Sequence, residues 1–186
     1  MIDEILSDDA AVYWLEKRHE VLYRAEMGAL YHRKRERFLA LSDRIGKALS
    51  LIAGTAAFSS LLPDANEKAW AGFIVATMTL PGLVFAWADK ARLHSELAQK
   101  YGTIISEIYF KGLSNIGEKE WSEWSSKVHA IEANEPPSLA ILVALCQNQI
   151  AVASGQPEKY KHIHWAKALL AHVVDLAPHA KPRKIC

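Results

Sequence analysis

The stretch AWAGFIVATMTLPGLVFAWADKARLH, residues 69–94, decides which fold this chain can form. Residues 69–88 contain no charged side chain, and as a helix they span about 30 Å, close to the hydrocarbon thickness of a bilayer. Their apolar side chains point in all directions, as in deeply buried or lipid-facing helices. Trp70 and Trp87 lie near the two ends, where indoles prefer the membrane interfaces, and membrane helices tolerate an interior Pro81-Gly82 pair. We therefore predict a transmembrane span.

The alternative is that residues 69–88 form the central helix of a soluble bundle. The chain has 186 residues, a net charge of +1 and a 51% hydrophobic composition, which suit one ordinary domain and do not separate the two interpretations. A chain of this length leaves little polypeptide to surround a helix that is apolar on every side. We therefore favour lipid as its environment.

A second apolar stretch, KALSLIAGTAAFSSLLP, lies just upstream at residues 47–63. As a helix it is about 24 Å long, which is short for a bilayer, but Lys47 can extend its ammonium group to the interface. The short polar sequence PDANEK, residues 63–68, joins the two stretches. Together they predict a two-helix transmembrane hairpin over residues 45–88, with spans at about 45–62 and 69–88.

Basic residues orient this hairpin. They precede the first span and follow the second, whereas the connecting loop has only Lys68, so the positive-inside rule places both termini in the cytoplasm. The N-terminal sequence MIDEILSDDA is acidic and lacks the pattern of a signal peptide. The flanking basic residues are His32, Arg33, Lys34, Arg35, Arg37, Arg44 and Lys47 before the hairpin, and Lys90, Arg92 and Lys100 after it.

The rest of the chain is predicted to be helical, without strand alternation. A long cytoplasmic helix starts at Ser7 within the region 1–44 and runs into the first span, because no proline interrupts it. The cytoplasmic region 89–186 is predicted to contain a helix continuing from Trp87, and then helices at 118–133, 138–154 and 157–176 before a basic tail. The apolar positions predicted to pack are Val12, Leu15, Leu22, Ala25, Ala29, Phe38 and Leu41 in the first helix and Leu93, Leu97, Tyr101, Ile104, Ile105 and Ile108 after Trp87.

No pattern of catalytic or metal-binding residues is evident. His162 and His164 are two residues apart, which on a helix points them to different faces, and no acid or thiol is spaced to join them. Cys146 lies in an apolar run and Cys186 is the last residue, so neither indicates a disulfide framework or a zinc site. Phosphate loops and nucleophile elbows are absent from the sequence. We expect no enzyme activity, no metal and no cofactor.

Two basic clusters have alternative interpretations. Arg33, Lys34, Arg35 and Arg37 either anchor the chain to anionic head groups or bind a phosphorylated ligand. The second cluster lies in the predicted last helix, beside the aromatic Tyr160 and Trp165. It could hold phosphates and stack bases, although a solvated helix face has the same pattern. Its members are Lys159, Lys161, His162 and His164.

The first span has small residues four positions apart, which allow close helix packing in lipid, either within the hairpin or between copies. The candidate packing residues are Ala53, Thr55, Ala57 and Ser59. Because two helices cannot enclose a pore, conduction would require several copies. The candidate pore-lining face consists of Lys47, Ser50, Gly54, Phe58 and Leu61, with Phe58 and Leu61 as a hydrophobic constriction.

This layout resembles the bacterial SLATT family over residues 8–176. The similar segments are DKARLHSELAQKYGTIISEI and EPPSLAILVALCQNQIAVASG, with looser matches at His94, Tyr101, Glu107 and Asn148. The resemblance implies an inner-membrane effector of antiphage defence that forms oligomeric pores. It also implies control by a nucleotide or oligonucleotide made by a neighbouring nucleotidyltransferase, or by a partner sensor, and it supplies no catalytic residues.

We therefore expect a homo-oligomeric pore or channel in the bilayer, gated by a nucleotide-type signal that binds the cytoplasmic helices. The alternative is a non-conducting membrane anchor or scaffold that recruits a soluble partner through those helices.

Overall fold

The computed structural model describes residues 2–58, 64, 66, 69–70, 72–74, 76–77, 85–113 and 116–172. Within these residues the chain is helical and contains no strand, so the predicted all-α class is confirmed. No helix among them is both long and apolar enough to cross a membrane. The end of the first predicted span, most of the PDANEK loop and much of the second span lie outside the described residues.

The described residues contain five α-helices and one 3₁₀ helix with defined bounds, and residues 66, 69–70, 72–74, 76–77 and 85 are also helical. The long first helix is confirmed: α1 begins at Ile2, ahead of the predicted Ser7, and is described to Phe58, within the region of the first predicted span. The helices are α1 (Ile2–Phe58), α2 (Trp87–Lys111), α3 (Glu118–Glu132), α4 (Ala140–Ala153), the 3₁₀ helix (Pro157–Lys159) and α5 (Trp165–Leu170).

The predicted helix over residues 157–176 is wrong. Its first turn is 3₁₀, residues 160–164 are not helical, and α5 covers only Trp165–Leu170. Tertiary hydrogen bonds explain the difference, because the side chain of Asn148 binds both the backbone N–H and the backbone C=O of Lys161. The backbone N–H and C=O of Lys161 therefore do not form the backbone hydrogen bonds of a helix.

The chain divides into two compact units, Met1–His32 with Glu96–Cys186, and Arg33–Ser95. The first unit has an enclosed core between α1, α2 and α3, in which Ala25, Ile108 and Val128 are fully buried. Gly28 permits a close helix contact there, since a Cβ at this position would overlap the Tyr101 ring, 2.5 Å from its Cζ. A second cluster packs Tyr31 of α1 against Ile141, Leu142 and Cys146 of α4.

The predicted packing positions are confirmed only in part. In α1, Leu22, Ala25 and Ala29 are buried, and in α2 so are Leu97, Tyr101, Ile104 and Ile108. The prediction is wrong for several others, because the neighbouring helices do not cover the N-terminal part of α1 or those positions of the second unit. The exposed positions are Val12, Leu15, Leu41 and Leu93.

The second unit leaves many large apolar side chains exposed. Leu51 is 70% exposed, Trp70 66% and Phe73 63%. The Thr55 hydroxyl donates to the carbonyl oxygens of Leu51 and Ile52, and the Thr77 hydroxyl donates to that of Phe73. Both hydroxyl groups therefore form their hydrogen bonds with backbone carbonyls of their own helical segments.

Candidate functional site

A cavity of about 650 Å³ lies in the first unit. One wall is the α1 stripe of His19, Tyr23 and Glu26, whose i, i+4, i+7 spacing places them on one helix face. The opposing elements are the C-terminal half of α4 and the chain that follows it. The remaining lining residues are Glu20, Gln147, Ile150, Ala151, Ser154, Gln156, Lys159 and Lys161.

The end of α4 shapes the rim of this cavity. Gly155 adopts a φ of 68°, a left-handed conformation that glycine adopts without steric strain. The N–H of Gln156 then donates to the carbonyl of Ala151 at 2.8 Å, and that of Gly155 donates to Val152 at 3.1 Å. This Schellman-type termination turns the chain so that Gln156 and Lys159 face the cavity opening.

Asn148 fixes the position of Lys161 through hydrogen bonds to its backbone. It is only 4% exposed, and its amide donates to the Lys161 carbonyl at 2.7 Å while its oxygen accepts from the Lys161 N–H at 2.8 Å. The Lys161 ammonium donates to Gln147 Oε1 at 3.1 Å. A buried amide with both ends bonded therefore holds Lys161 at the cavity wall.

The cavity combines both signs of charge. Lys159 and Lys161 come from the segment after α4, whereas Glu20 and Glu26 come from α1. Glu20 accepts from Lys17 Nζ at 3.1 Å, and Glu26 accepts from the Tyr109 hydroxyl at 3.3 Å. Such a site can bind a ligand that has an anionic group and, elsewhere, hydrogen-bond donors.

A second polar cluster joins α1, α2 and the α3–α4 connection. His32 is fully buried, its Nε2 lies 3.0 Å from Glu135 Oε1, and its ring stacks on Tyr101 at a centroid distance of 5.9 Å. The Tyr101 hydroxyl donates to the same carboxylate oxygen, and burial raises the pKa of Tyr101 well above its ordinary value. The Tyr31 hydroxyl accepts from the Leu139 N–H at 3.0 Å.

These residues border a smaller cavity of about 290 Å³. At its edge, Arg24 Nη2 donates to Glu132 Oε2 at 2.6 Å and lies 3.2 Å from His129 Nδ1. Since its carboxylates already bind Arg24, His32 and Tyr101, we interpret this cluster as a structural tie between the helices.

The predicted phosphate-binding residues are distributed over both units. Arg33, Lys34, Arg35 and Arg37 lie on α1 in the second unit. In the first unit, Lys159 and Lys161 line the large cavity, but His162 and His164 do not. His162 is exposed, and Nδ1 of His164 accepts from the Ala166 N–H at 3.3 Å as the N-cap of α5. The structure therefore brings two members of the second cluster to one cavity.

The predicted pore and packing residues fall mostly on α1. Lys47 is exposed and its Nζ lies 2.7 Å from Asp43 Oδ2, while Ser50 is half-buried. Thr55 is exposed, with its hydroxyl donating within the helix. Leu61 and Ser59 lie outside the described residues. Positions 53, 54, 57 and 58 belong to α1.

The α1 wall of the cavity and the two α4 residues that support Lys161 were not predicted from the sequence. The signal for the wall is a polar and aromatic stripe at His19, Tyr23 and Glu26 on a helix whose apolar positions alone were predicted to pack. The signal for the support was a pair of amides, Gln147 and Asn148, directly after an apolar run. An amide in such a position needs buried partners.

In the part of the chain that the structure describes, no group of three or more His, Cys, Asp or Glu side chains could hold a metal ion. Comparisons with protein-family models, with curated proteins and with solved structures find no match to this chain. The resemblance to the SLATT family therefore stays a prediction.

Proposed function

We propose that this protein is an oligomeric pore-forming membrane effector, controlled by a nucleotide-type signal or by a partner sensor. The observation that supports the proposal most strongly is the exposed apolar surface of the second unit. Leu51, Ile52, Trp70 and Phe73 are each more than three-fifths exposed. Large exposed apolar patches mark sites of membrane or protein interaction.

The polar groups within this region are compatible with a lipid environment, although exposed Thr103 and Ser106 of the first unit bond in the same way. The Thr55 and Thr77 hydroxyls donate to carbonyls of their own helical segments, at 2.8 Å to Ile52 and 2.8 Å to Phe73. A threonine in lipid has no water to bond and uses its own backbone in this way. The sequence from Ala69 to Ala88 contains no charged residue, as expected for a segment in lipid.

Two proposed spans per chain imply that a pore contains several copies of the protein. Two helices leave no lumen, so a conducting protein of this size requires several copies around an axis. Small residues at positions 50, 53, 54, 55 and 57 of α1 allow the close helix approach that membrane assemblies use. The proposed location is a bacterial inner membrane with both termini in the cytoplasm, as the basic flanks predict.

Dye release from liposomes tests this function. The full chain, reconstituted with a trapped small dye, is expected to release it in the presence of a nucleotide or its cognate partner. The variant Ser50→Trp should reduce release by obstructing the proposed lumen, whereas Leu49→Trp, about 100° around the same helix, should not. Well-folded oligomers that never release dye under any candidate signal would exclude a pore.

A non-conducting anchor or scaffold is the second candidate, and one observation favours it. The C-terminal end of α2 and the turn after it present Tyr109, Phe110 and Leu113, which are 59%, 96% and 69% exposed. Aromatic residues are enriched at protein interfaces. Expression without a regulator separates the two candidates, because a pore depolarises the cell and an anchor leaves the membrane potential intact.

A further inference from the structure

We infer that the 650 Å³ cavity of the first unit is a binding site for a nucleoside phosphate, with the phosphates at Lys159 and Lys161 and the base on the α1 wall. The inference rests on the proposed function for its regulatory meaning, since it assigns the signal of the pore to one site. Binding itself can be measured without conduction.

The size of the cavity fits such a ligand. Small-molecule sites typically enclose about 300 to 1,000 Å³, and this cavity lies in the middle of that range. The 290 Å³ cavity beside Tyr101 is at the lower limit, and its carboxylates are already bonded to protein groups. The larger cavity is therefore the better candidate.

The segment after α4 supplies the anion-binding end. Lys159 and Lys161 both line the cavity within three residues of chain, and the 3₁₀ turn Pro157–Lys159 holds the first of them. Two ammonium groups that line the same cavity suit a multiply charged phosphate better than a single carboxylate, because each can supply a charge-assisted hydrogen bond. Asn148 acts as a positioning residue, since its two hydrogen bonds fix the backbone of Lys161.

The α1 wall supplies the part of the site that would contact the base and the ribose. Tyr23 is 38% exposed and lines the cavity, so its ring is available for stacking against a planar base. Glu26 and Glu20 repel phosphate but accept hydrogen bonds from amino and hydroxyl groups, which bases and ribose carry. The charge arrangement thus orients a nucleotide in one direction within the cavity.

Calorimetric titration of the full chain in detergent micelles tests this assignment. The probes are ATP, GTP, CTP and UTP, the corresponding nucleosides, and sodium triphosphate. We expect at least one nucleoside triphosphate to bind, with its nucleoside and triphosphate alone each at least tenfold weaker. Lys159→Gln and Lys161→Gln should each weaken binding about tenfold, because each removes one hydrogen bond between charged groups.

Three further variants separate the site from general electrostatics. Lys119→Gln, on the exposed start of α3, makes the same charge change away from the cavity and should leave affinity unchanged. Tyr23→Leu should weaken nucleotide binding but not triphosphate binding. Asn148→Ala should weaken both ligands although Lys161 is intact, and a melting curve recorded in parallel shows whether the variant is folded.

The inference is overturned if no nucleoside triphosphate binds, if triphosphate binds as tightly as the nucleotides, or if Lys119→Gln weakens binding as much as Lys161→Gln. Phosphate groups also occur on lipids, so binding to phosphatidylglycerol vesicles is measured with the same variants. If Lys161→Gln abolished vesicle binding but retained nucleotide binding, the assignment of the phosphates to Lys161 would likewise be overturned. Nucleotide binding without dye release counts against the pore alone, and dye release without nucleotide binding counts against this site alone.

Discussion

The two units of this chain handle their apolar residues in opposite ways. In the first unit, α1, α2 and α3 enclose Ala25, Ile108 and Val128 completely, and each buried aliphatic side chain of the size of leucine contributes about 1.5 to 3 kcal/mol. In the second unit, Leu51 and Phe73 are mostly exposed. The first unit encloses a core despite exposed side chains such as Phe110, whereas Leu51, Trp70 and Phe73 of the second unit lie on an exposed apolar surface that we propose lipid covers.

Their polar residues differ in a corresponding way. The first unit uses buried polar groups over long sequence distances, such as His32 with Glu135 and Asn148 with Lys161. The exposed hydroxyls of Thr55 and Thr77 in the second unit bond to nearby carbonyls of the same helical segment, as those of Thr103 and Ser106 do in the first unit. The units therefore differ in their exposed apolar surface and in their long-range polar contacts, and three substitutions test this comparison.

The largest expected effect is that of a charge placed on the exposed apolar surface. If Phe73 faced water, Phe73→Arg would change little, because exposed substitutions typically shift stability by less than about 0.5 kcal/mol. In lipid, an arginine costs about 2.5 to 3.5 kcal/mol at the centre of a span and less towards its ends, where Phe73 lies. We expect Phe73→Arg to reduce the membrane-integrated fraction after carbonate extraction. Val152→Arg, a change at an exposed position of the first unit, is the control.

The next effect tests how tightly the first unit is enclosed. A methyl group added at Gly28 would overlap the Tyr101 ring, and overpacking of this kind costs about 1 to 3 kcal/mol. Gly28→Ala should therefore lower the midpoint of thermal unfolding. Gly102→Ala is the matched control on α2, where no atom lies within 4 Å of the new Cβ. Gly102→Ala should stabilise the protein by about 0.5 to 1 kcal/mol. Equal changes in the unfolding midpoint for the two variants would contradict the close packing of Gly28 against Tyr101.

The smallest effect concerns the hydrogen bond between Tyr101 and Glu135. Tyr101→Phe should cost about 1 kcal/mol at neutral pH. Burial raises the pKa of Tyr101 above 10.0, so above that pH the unfolded chain loses a proton that the native chain keeps. The contribution of Tyr101 is thus present below pH 10 and declines above it. Denaturant unfolding of both proteins should show their stabilities converging in alkali, and a constant difference would contradict the assignment.

Local sequence patterns predicted most of the helices. The absence of proline before Pro63 predicted the continuity of α1, and apolar spacing predicted the buried positions Leu97, Tyr101 and Ile108 of α2. These predictions hold because the interactions that form a helix and orient its apolar face act over a few residues.

Long-range hydrogen bonds account for what the sequence did not predict. The final helix was wrong because Asn148 captures the backbone of Lys161, and no pattern within residues 157–176 contains that contact. His32 was counted among the membrane-flanking basic residues, yet it is fully buried against Glu135, which lies 103 residues further along the chain. The cavity likewise joins α1 to the end of α4, so only its lysines stood out in the sequence.

Lipid-phase quenching tests the placement of the second unit most directly. Single cysteines at positions 73 and 152, introduced after replacing Cys146 and Cys186, carry a fluorophore in protein reconstituted with brominated phosphatidylcholine. We predict that bromine on the acyl chains quenches the label at position 73 and that aqueous iodide does not, with the reverse at position 152. Equal quenching by iodide at both positions, without quenching by bromolipid at position 73, would contradict a membrane-inserted second unit.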